Sequence, residues 1–171
     1  MTRMRDPLIL SLLSVMLAAP VAAQSWQEYE YPESGFSIAF PAPPVVKSEP
    51  YAAGSGKTVS ATSYTVRQPT RLYSVTVADF SNMGIDGDTA IAHAVDQVQA
   101  QGKVRVDVEA RINRQYGREL SIVGNDDSHS AVAIFFVDNK LYLVEGSVLA
   151  TSADMQSGDA ARFQQSLRFP G

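Results

Sequence analysis

The chain contains no cysteine. That absence excludes a disulfide framework, thiol catalysis and cysteine-ligated zinc. It also excludes a bacterial lipoprotein anchor, which needs a cysteine as its first mature residue. Basic residues are in short supply: 14 Lys and Arg stand against 18 Asp and Glu, for a formal charge of -4. Nucleic-acid affinity comes mostly from Lys and Arg displacing counterions, so nucleic acid is not an expected partner. Histidine occurs only twice, which leaves two side chains suited to proton transfer near neutral pH. Long apolar runs are absent as well. Residues 8–19 form one run, broken by Ser11 and Ser14. At about 1.5 Å per residue it falls far short of the roughly 30 Å hydrocarbon core of a bilayer.

That run has a context. Arg3 and Arg5 precede it, Pro20 stops it, and Val21-Ala22-Ala23 supplies modest side chains for a cut after Ala23. A basic start, an apolar centre and a small-residue cut are the parts of a secretory signal peptide. The expected organisation is therefore a leader over 1–23, a polar and aromatic lead-in over 24–34, and one globular domain over 35–171. The expected address is the periplasm, with secretion to the medium as the alternative, and no membrane anchor after cleavage. With 45% hydrophobic and 19% charged residues, the composition is that of an ordinary globular protein.

Periodicity gives the elements. Phe36, Ile38 and Phe40 alternate onto one face of a strand, which Pro41-Ala42-Pro43-Pro44 ends because proline cannot donate to a ladder. Residues 58–66 and 72–80 are rich in Val, Thr and Tyr, with Gln68-Pro69-Thr70 as the turn of a hairpin. Asp86-Gly87-Asp88-Thr89 predicts a helix start with Asp88 as N-cap. Ile91, Ala94, Val95 and Val98 form its apolar stripe and Gly102 closes it. Val104, Val106, Val108, Ala110 and Ile112 then alternate with charged residues, predicting a long strand with that whole set in the core.

Strands over 118–123, 130–137 and 141–148 follow. Residues 124–128 form a turn, and Asn139 takes the left-handed position of another. Residues 159–167 read as a helix presenting Ala160, Phe163 and Leu167, with Phe169 beyond. Hairpin-linked strands are antiparallel, and helices must cover their apolar faces. The expected fold is α+β: a twisted antiparallel sheet of about six to seven strands with helices packed on it.

Four segments carry a resemblance. They are Gly35-Phe36-Ser37-Ile38-Ala39-Phe40-Pro41, Tyr116-Gly117-Arg118-Glu119-Leu120, Lys140-Leu141-Tyr142-Leu143-Val144 and Phe163-Gln164-Gln165-Ser166-Leu167-Arg168-Phe169. In their order and spacing the chain resembles the PsbP/Mog1-like fold, and within it the small exported bacterial proteins of PsbP-like type. The resemblance implies an antiparallel sheet between helical layers, an α/β/α sandwich, and an accessory, assembly or partner-binding role. No catalytic set travels with the fold, and fold analogy is a weak warrant for function.

Few residues point to chemistry. Gly54-Ser55-Gly56-Lys57-Thr58 has Tyr51 where a phosphate loop needs its first glycine, and it leads into a strand, so it reads as a flexible connection. His93 is expected on the solvent side of its helix. Asp126, Asp127 and His129 could form a weak divalent site, but the cluster is short of ligands. No serine sits in a Gly-x-Ser-x-Gly elbow. No catalytic residue, cofactor or metal is expected. Arg111, Arg114, Tyr116, Arg118 and Glu119 cluster in the stretch joining two strands. An Arg and Tyr mixture suits a protein interface, and equally an ordinary charged hairpin rim. The leading expectation is a non-catalytic exported accessory module that binds a protein partner in the cell envelope. The alternatives are a periplasmic protein binding a small molecule or lipid in an aromatic-lined pocket, and a periplasmic hydrolase.

Overall fold

Alternation runs through most of the chain between residues 27 and 148. A computed structural model, which describes residues 26–54, 56–152 and 158–170, turns it into nine strands and two helices among those residues. The expected leader and its cut lie outside the described residues. Strands β1 (Gln27–Tyr31) and β2 (Phe36–Phe40) pair with each other as a separate two-stranded sheet, and Ser37 of β2 also bridges Arg168. Then come β3 (Val45–Gly54), β4 (Lys57–Gln68) and β5 (Arg71–Asp79), helix α1 (Gly87–Gln99), strands β6 (Gly102–Ile112), β7 (Gln115–Gly124), β8 (His129–Val137) and β9 (Lys140–Val148), and helix α2 (Asp159–Gln165). The main sheet has seven strands in the order β3-β4-β5-β9-β8-β7-β6, antiparallel throughout. No helix among the described residues is long and apolar enough to cross a membrane.

The fold class is the expected one, and the local elements add to or correct the sequence reading at several points. The lead-in is structured from Gln27 to Tyr31, because β1 takes up the ladder of β2 and moves β2 out of the main sheet. The stretch before Gly54 is an edge strand, β3, where Pro50 is tolerated because no further strand among the described residues lies beyond it. Gly54 and Gly56, both at positive φ, turn it sharply into β4, so the glycines belong to a hairpin and not a flexible connection. Asp86, not Asp88, caps α1: its Oδ1 accepts the Thr89 amide and its Oδ2 the Thr89 hydroxyl, each at 2.9 Å. Gly102 does not close the helix. It opens β6, where a Cβ would meet the Val123 carbonyl oxygen at 2.2 Å. Asp138 and Asn139 do take the left-handed turn between β8 and β9.

Alternation gives the main sheet two faces. On one, Tyr64, Val66, Tyr73, Val75, Phe135, Tyr142 and Val144 meet β2 and α2. This layer is largely aromatic: Trp26 packs edge-on to Tyr73 at 5.2 Å, and Phe40 and Tyr73 lie 5.0 and 5.3 Å from Phe163. Gly146 lets α2 sit directly on β9, since a Cβ there would meet the Ala160 carbonyl oxygen at 2.7 Å. On the other face, α1 buries Ala90, Ala94, Val95 and Val98 against Leu120, Ile122, Val132, Ile134 and Leu141. The two outer layers thus differ: one is α1 alone, the other combines α2 with the β1–β2 hairpin.

Among the described residues, the buried Tyr73 hydroxyl has no hydrogen-bond partner. Leaving such a group unsatisfied costs about 1–3 kcal/mol, so Tyr73→Phe is expected to raise stability by about 1 kcal/mol in urea unfolding. A loss would mean that the hydroxyl has a partner. Burial pushes the Tyr73 and Tyr142 phenols up from the ordinary 10.0 to about 12. The unfolded chain therefore releases these protons first, and stability should be complete below pH 10.0 and fall as pH rises toward 12. Thermal melts across that window, with Tyr73→Phe flattening the decline, check the sign.

Candidate functional site

Strand β6 decides where the chemistry sits. Its register with β7 shifts between Val104 and Val106, a bulge that inserts one residue. Val104 stays on the α1 side opposite Ile122, but from there on the faces exchange. Val106 and Val108 turn to the α2 side and remain 46% and 48% exposed, which corrects the expectation that the whole valine set is core. Only Ala110 of that set is fully buried, with Val104 and Ile112 partly so. Asp107 and Glu109 turn instead to the α1 side, opposite Leu120 and Arg118.

The result is a cleft of about 630 Å³ between α1 and the β6–β7 ribbon. Ile91 and Val95 line it on the helix, with Asp88 and Asp96 beside them, and Asp107, Glu109, Tyr116 and Arg118 line it on the strands. Arg118 is held there by Asp107, whose Oδ1 accepts from its Nε at 3.0 Å and from its terminal nitrogen. Tyr116 is 65% exposed. The Arg111 guanidinium lies over its ring, 5.1 Å from the centroid, while the Arg111 Nε donates to the Asn113 carbonyl at 2.9 Å.

Of the five residues picked out by composition, the fold therefore brings Arg111, Tyr116 and Arg118 onto one face. Arg114 is exposed in the two-residue turn between β6 and β7, and alternation puts Glu119 on the opposite face beside Val108. The acidic residues Asp88, Asp96, Asp107 and Glu109 were not foreseen. Asp88, Ala92 and Asp96 recur at i, i+4 and i+8, so their common helix face was legible. The bulge that aims Asp107 and Glu109 at them was not.

The other sequence candidates have local roles. His93 is not a solvated surface residue: its Nε2 lies 2.9 Å from the Gln97 side-chain nitrogen and 3.2 Å from the Ala52 carbonyl oxygen. Gln97 also donates to that carbonyl at 3.0 Å and accepts the Tyr51 hydroxyl at 2.7 Å, so this group ties the tip of the β3–β4 hairpin to α1. Asp126 Oδ1 accepts both the hydroxyl and the amide of Ser128, at 2.6 and 3.1 Å, and these bonds hold its carboxyl below the usual range. Among the described residues no three His, Asp or Glu side chains converge as a metal-holding group.

No protein-family model matches the chain, and no curated protein matches it in sequence. Solved structures do match in shape. Cyanobacterial PsbP (CyanoP) from Synechocystis aligns with a TM-score of 0.56 at 12% identity, covering 89% of this chain and 96% of that one. A Pseudomonas aeruginosa protein of unknown function aligns with a TM-score of 0.44 at 13% identity, covering 80% of this chain and 90% of that one. The first likeness shows that the chain has the PsbP-like fold.

The half-exposed Arg118–Asp107 pair is the one ion pair in the cleft among the described residues. A double-mutant cycle with Arg118→Ala and Asp107→Ala should give a coupling of about 0.5–1 kcal/mol. It should shrink in 1 M salt, where the screening length is about 3 Å. Zero coupling at low salt would mean that the pair does not organise the cleft.

Proposed function

We propose that this protein is a non-catalytic exported module that binds a protein partner in the cell envelope through the cleft between α1 and β6–β7. The observation that carries the reading is the position of Tyr116. A large aromatic ring is left 65% exposed, fixed from above by Arg111, at the mouth of a cleft with an apolar helix wall. Exposed aromatics and arginines beside a concavity are the usual anchors of protein interfaces. The cleft also opens at β6, an edge strand whose outward backbone groups pair with no other strand among the described residues. The leader pattern over residues 1–23 supports export, and the PsbP-like fold supports an accessory role only by analogy.

The partner reading needs no residue to change state. Tyr116 and Arg111 supply contact area with little ordering cost, because their mutual stacking already restricts both. Asp88, Asp96 and Glu109 make the rim acidic, which favours a partner surface that is basic there.

In-cell cross-linking tests the proposal. The variant Tyr116→Ala with Ala92→Glu removes the anchor and adds a charge to the exposed helix wall. Cross-linked partner should fall by roughly tenfold, the effect of losing about 1.4 kcal/mol of binding, while the melting temperature stays within a few degrees. Unchanged capture by the folded variant would remove the cleft from the interface. The absence of any envelope protein in the wild-type sample would remove the function.

A further inference from the structure

A second cavity, of about 400 Å³, lies on the same sheet face beyond the C-terminal end of α1. Its floor is formed where β5, β9, β8 and β7 run side by side: Leu72, Ser147, Ser130 and Ile122 are lateral neighbours in one row. Glu145 stands next to Ser147 on the same side of β9, and Arg67 stands on β4 opposite Leu72. The site described above shares none of these residues.

Two features mark this cavity as built for a ligand. The first is a hydrogen count. Glu145 Oε1, Ser130 Oγ and Ser147 Oγ form a triangle with sides of 2.7, 2.8 and 3.1 Å. Three contacts share two hydroxyl protons, since each serine has one. The two shortest sides make a chain in which Ser130 donates to Ser147 and Ser147 donates to Glu145. Ser147 is 4% exposed, so this chain is anchored inside the sheet surface. It fixes one carboxylate oxygen of Glu145 and leaves the other, together with the acceptor side of Ser130, without a partner among the described residues.

The second feature is a pair of opposite charges that do not meet. Arg67 and Glu145 line the same cavity, yet no ion pair joins them. Strand β5 stands between β4 and β9, which separates their backbones by about 9–10 Å at the usual strand spacing. The cavity has a positioned carboxylate, Glu145, a guanidinium, Arg67, and apolar side chains, Leu72, Ile122 and Leu149, between and beside them; a second carboxylate, Asp126, also lines it, with its Oδ1 taken up by Ser128. The Glu145–Arg67 pair is complementary to a small molecule with the same charges reversed, and Asp126 adds to the pull on its cationic end.

We propose that this cavity binds a small zwitterion of the amino-acid class. Its ammonium group donates to Glu145 and Ser130, its carboxylate accepts from Arg67, and its hydrocarbon part lies against Leu72 and Ile122. The volume is at the low end of the range for small-molecule sites, which suits a ligand of this size. The proposal is independent of partner binding, because it uses other residues and a different end of α1.

Calorimetric titration of the full-length mature protein tests it. The probes are L-leucine and γ-aminobutyrate as zwitterions, n-butylamine as an ammonium alone, and butyrate as a carboxylate alone. At least one zwitterion should bind, and both single-charge probes should bind it at least tenfold more weakly. Glu145→Gln and Arg67→Gln should each weaken that zwitterion by tenfold or more, with the ligand-free melting temperature of each variant showing that it is folded. Glu119→Gln, on the opposite face, should leave binding unchanged. Butylamine or butyrate binding as well as the zwitterions, undiminished binding in the two folded variants, or no heat and no thermal shift with either zwitterion at 10 mM would each overturn the proposal.

Discussion

One short helix has to cover one face of a seven-stranded sheet, and it cannot. The 13-residue helix α1 lies along the strands, so it covers the width of the sheet only with its diameter, about 10–12 Å including side chains. Seven strands at the usual spacing make a surface about 29 Å across. Among the described residues, α1 is the only helix on that face, and it lies along β8 with its start against Phe136 and its end beside Asn125. The sequence of the strands follows from this limit. Where the helix sits, the sheet presents Leu120, Ile122, Val132, Ile134 and Leu141. To either side it turns polar, with Asp107, Glu109 and Arg118 on the β6–β7 flank and Ser74, Thr76, Glu145 and Ser147 toward β5 and β9. Both concavities on this face are the uncovered flanks of one helix.

The opposite face has a different solution. There a helix of seven residues is supplemented by the β1–β2 hairpin, and between them they cover an aromatic layer. Trp26, Phe36, Phe40, Tyr64, Tyr73, Tyr142 and Phe163 pack on one another, which leaves these rings inside the core and not around a ligand. Two hydroxyls in this layer are satisfied by the loop that joins β1 to β2: Tyr142 donates to the Ser34 carbonyl and Tyr64 bonds the Ser34 hydroxyl, each at 2.7 Å. The loop that ends the lead-in is thus fastened to the centre of the sheet.

Much of this was readable from residue order. Phe36, Ile38 and Phe40 alternate as their burial requires, Asn139 sits at a positive-φ turn, and Ala160, Phe163 and Leu167 are buried together. Strands β1 and β3 escaped notice for a physical reason. Most of their residues are exposed, so hydrophobic alternation is weak, and Pro50 argues against a strand until the edge position is known. The bulge in β6 is the costliest omission for the site. Val104 to Ile112 alternate without a break in sequence, so one continuous apolar face was the natural reading. A single residue of register shift exchanges the faces, and it converts an expected basic and aromatic patch into a cleft with an acidic rim. The Ser130–Ser147–Glu145 chain was equally hidden, because its members come together only across paired strands.

On the proposed reading, the protein meets other molecules on its α1 face, while the aromatic face is structural. The most direct measurement places a photo-cross-linking amino acid in living cells at Tyr116, on the α1 face, or at Glu30, exposed on the outer side of the β1–β2 hairpin. Adducts to an envelope protein from position 116, with none from position 30, are the predicted result. Adducts from position 30 alone would contradict the account, because they would make the outer surface of the β1–β2 hairpin the interface and α1 a structural cover.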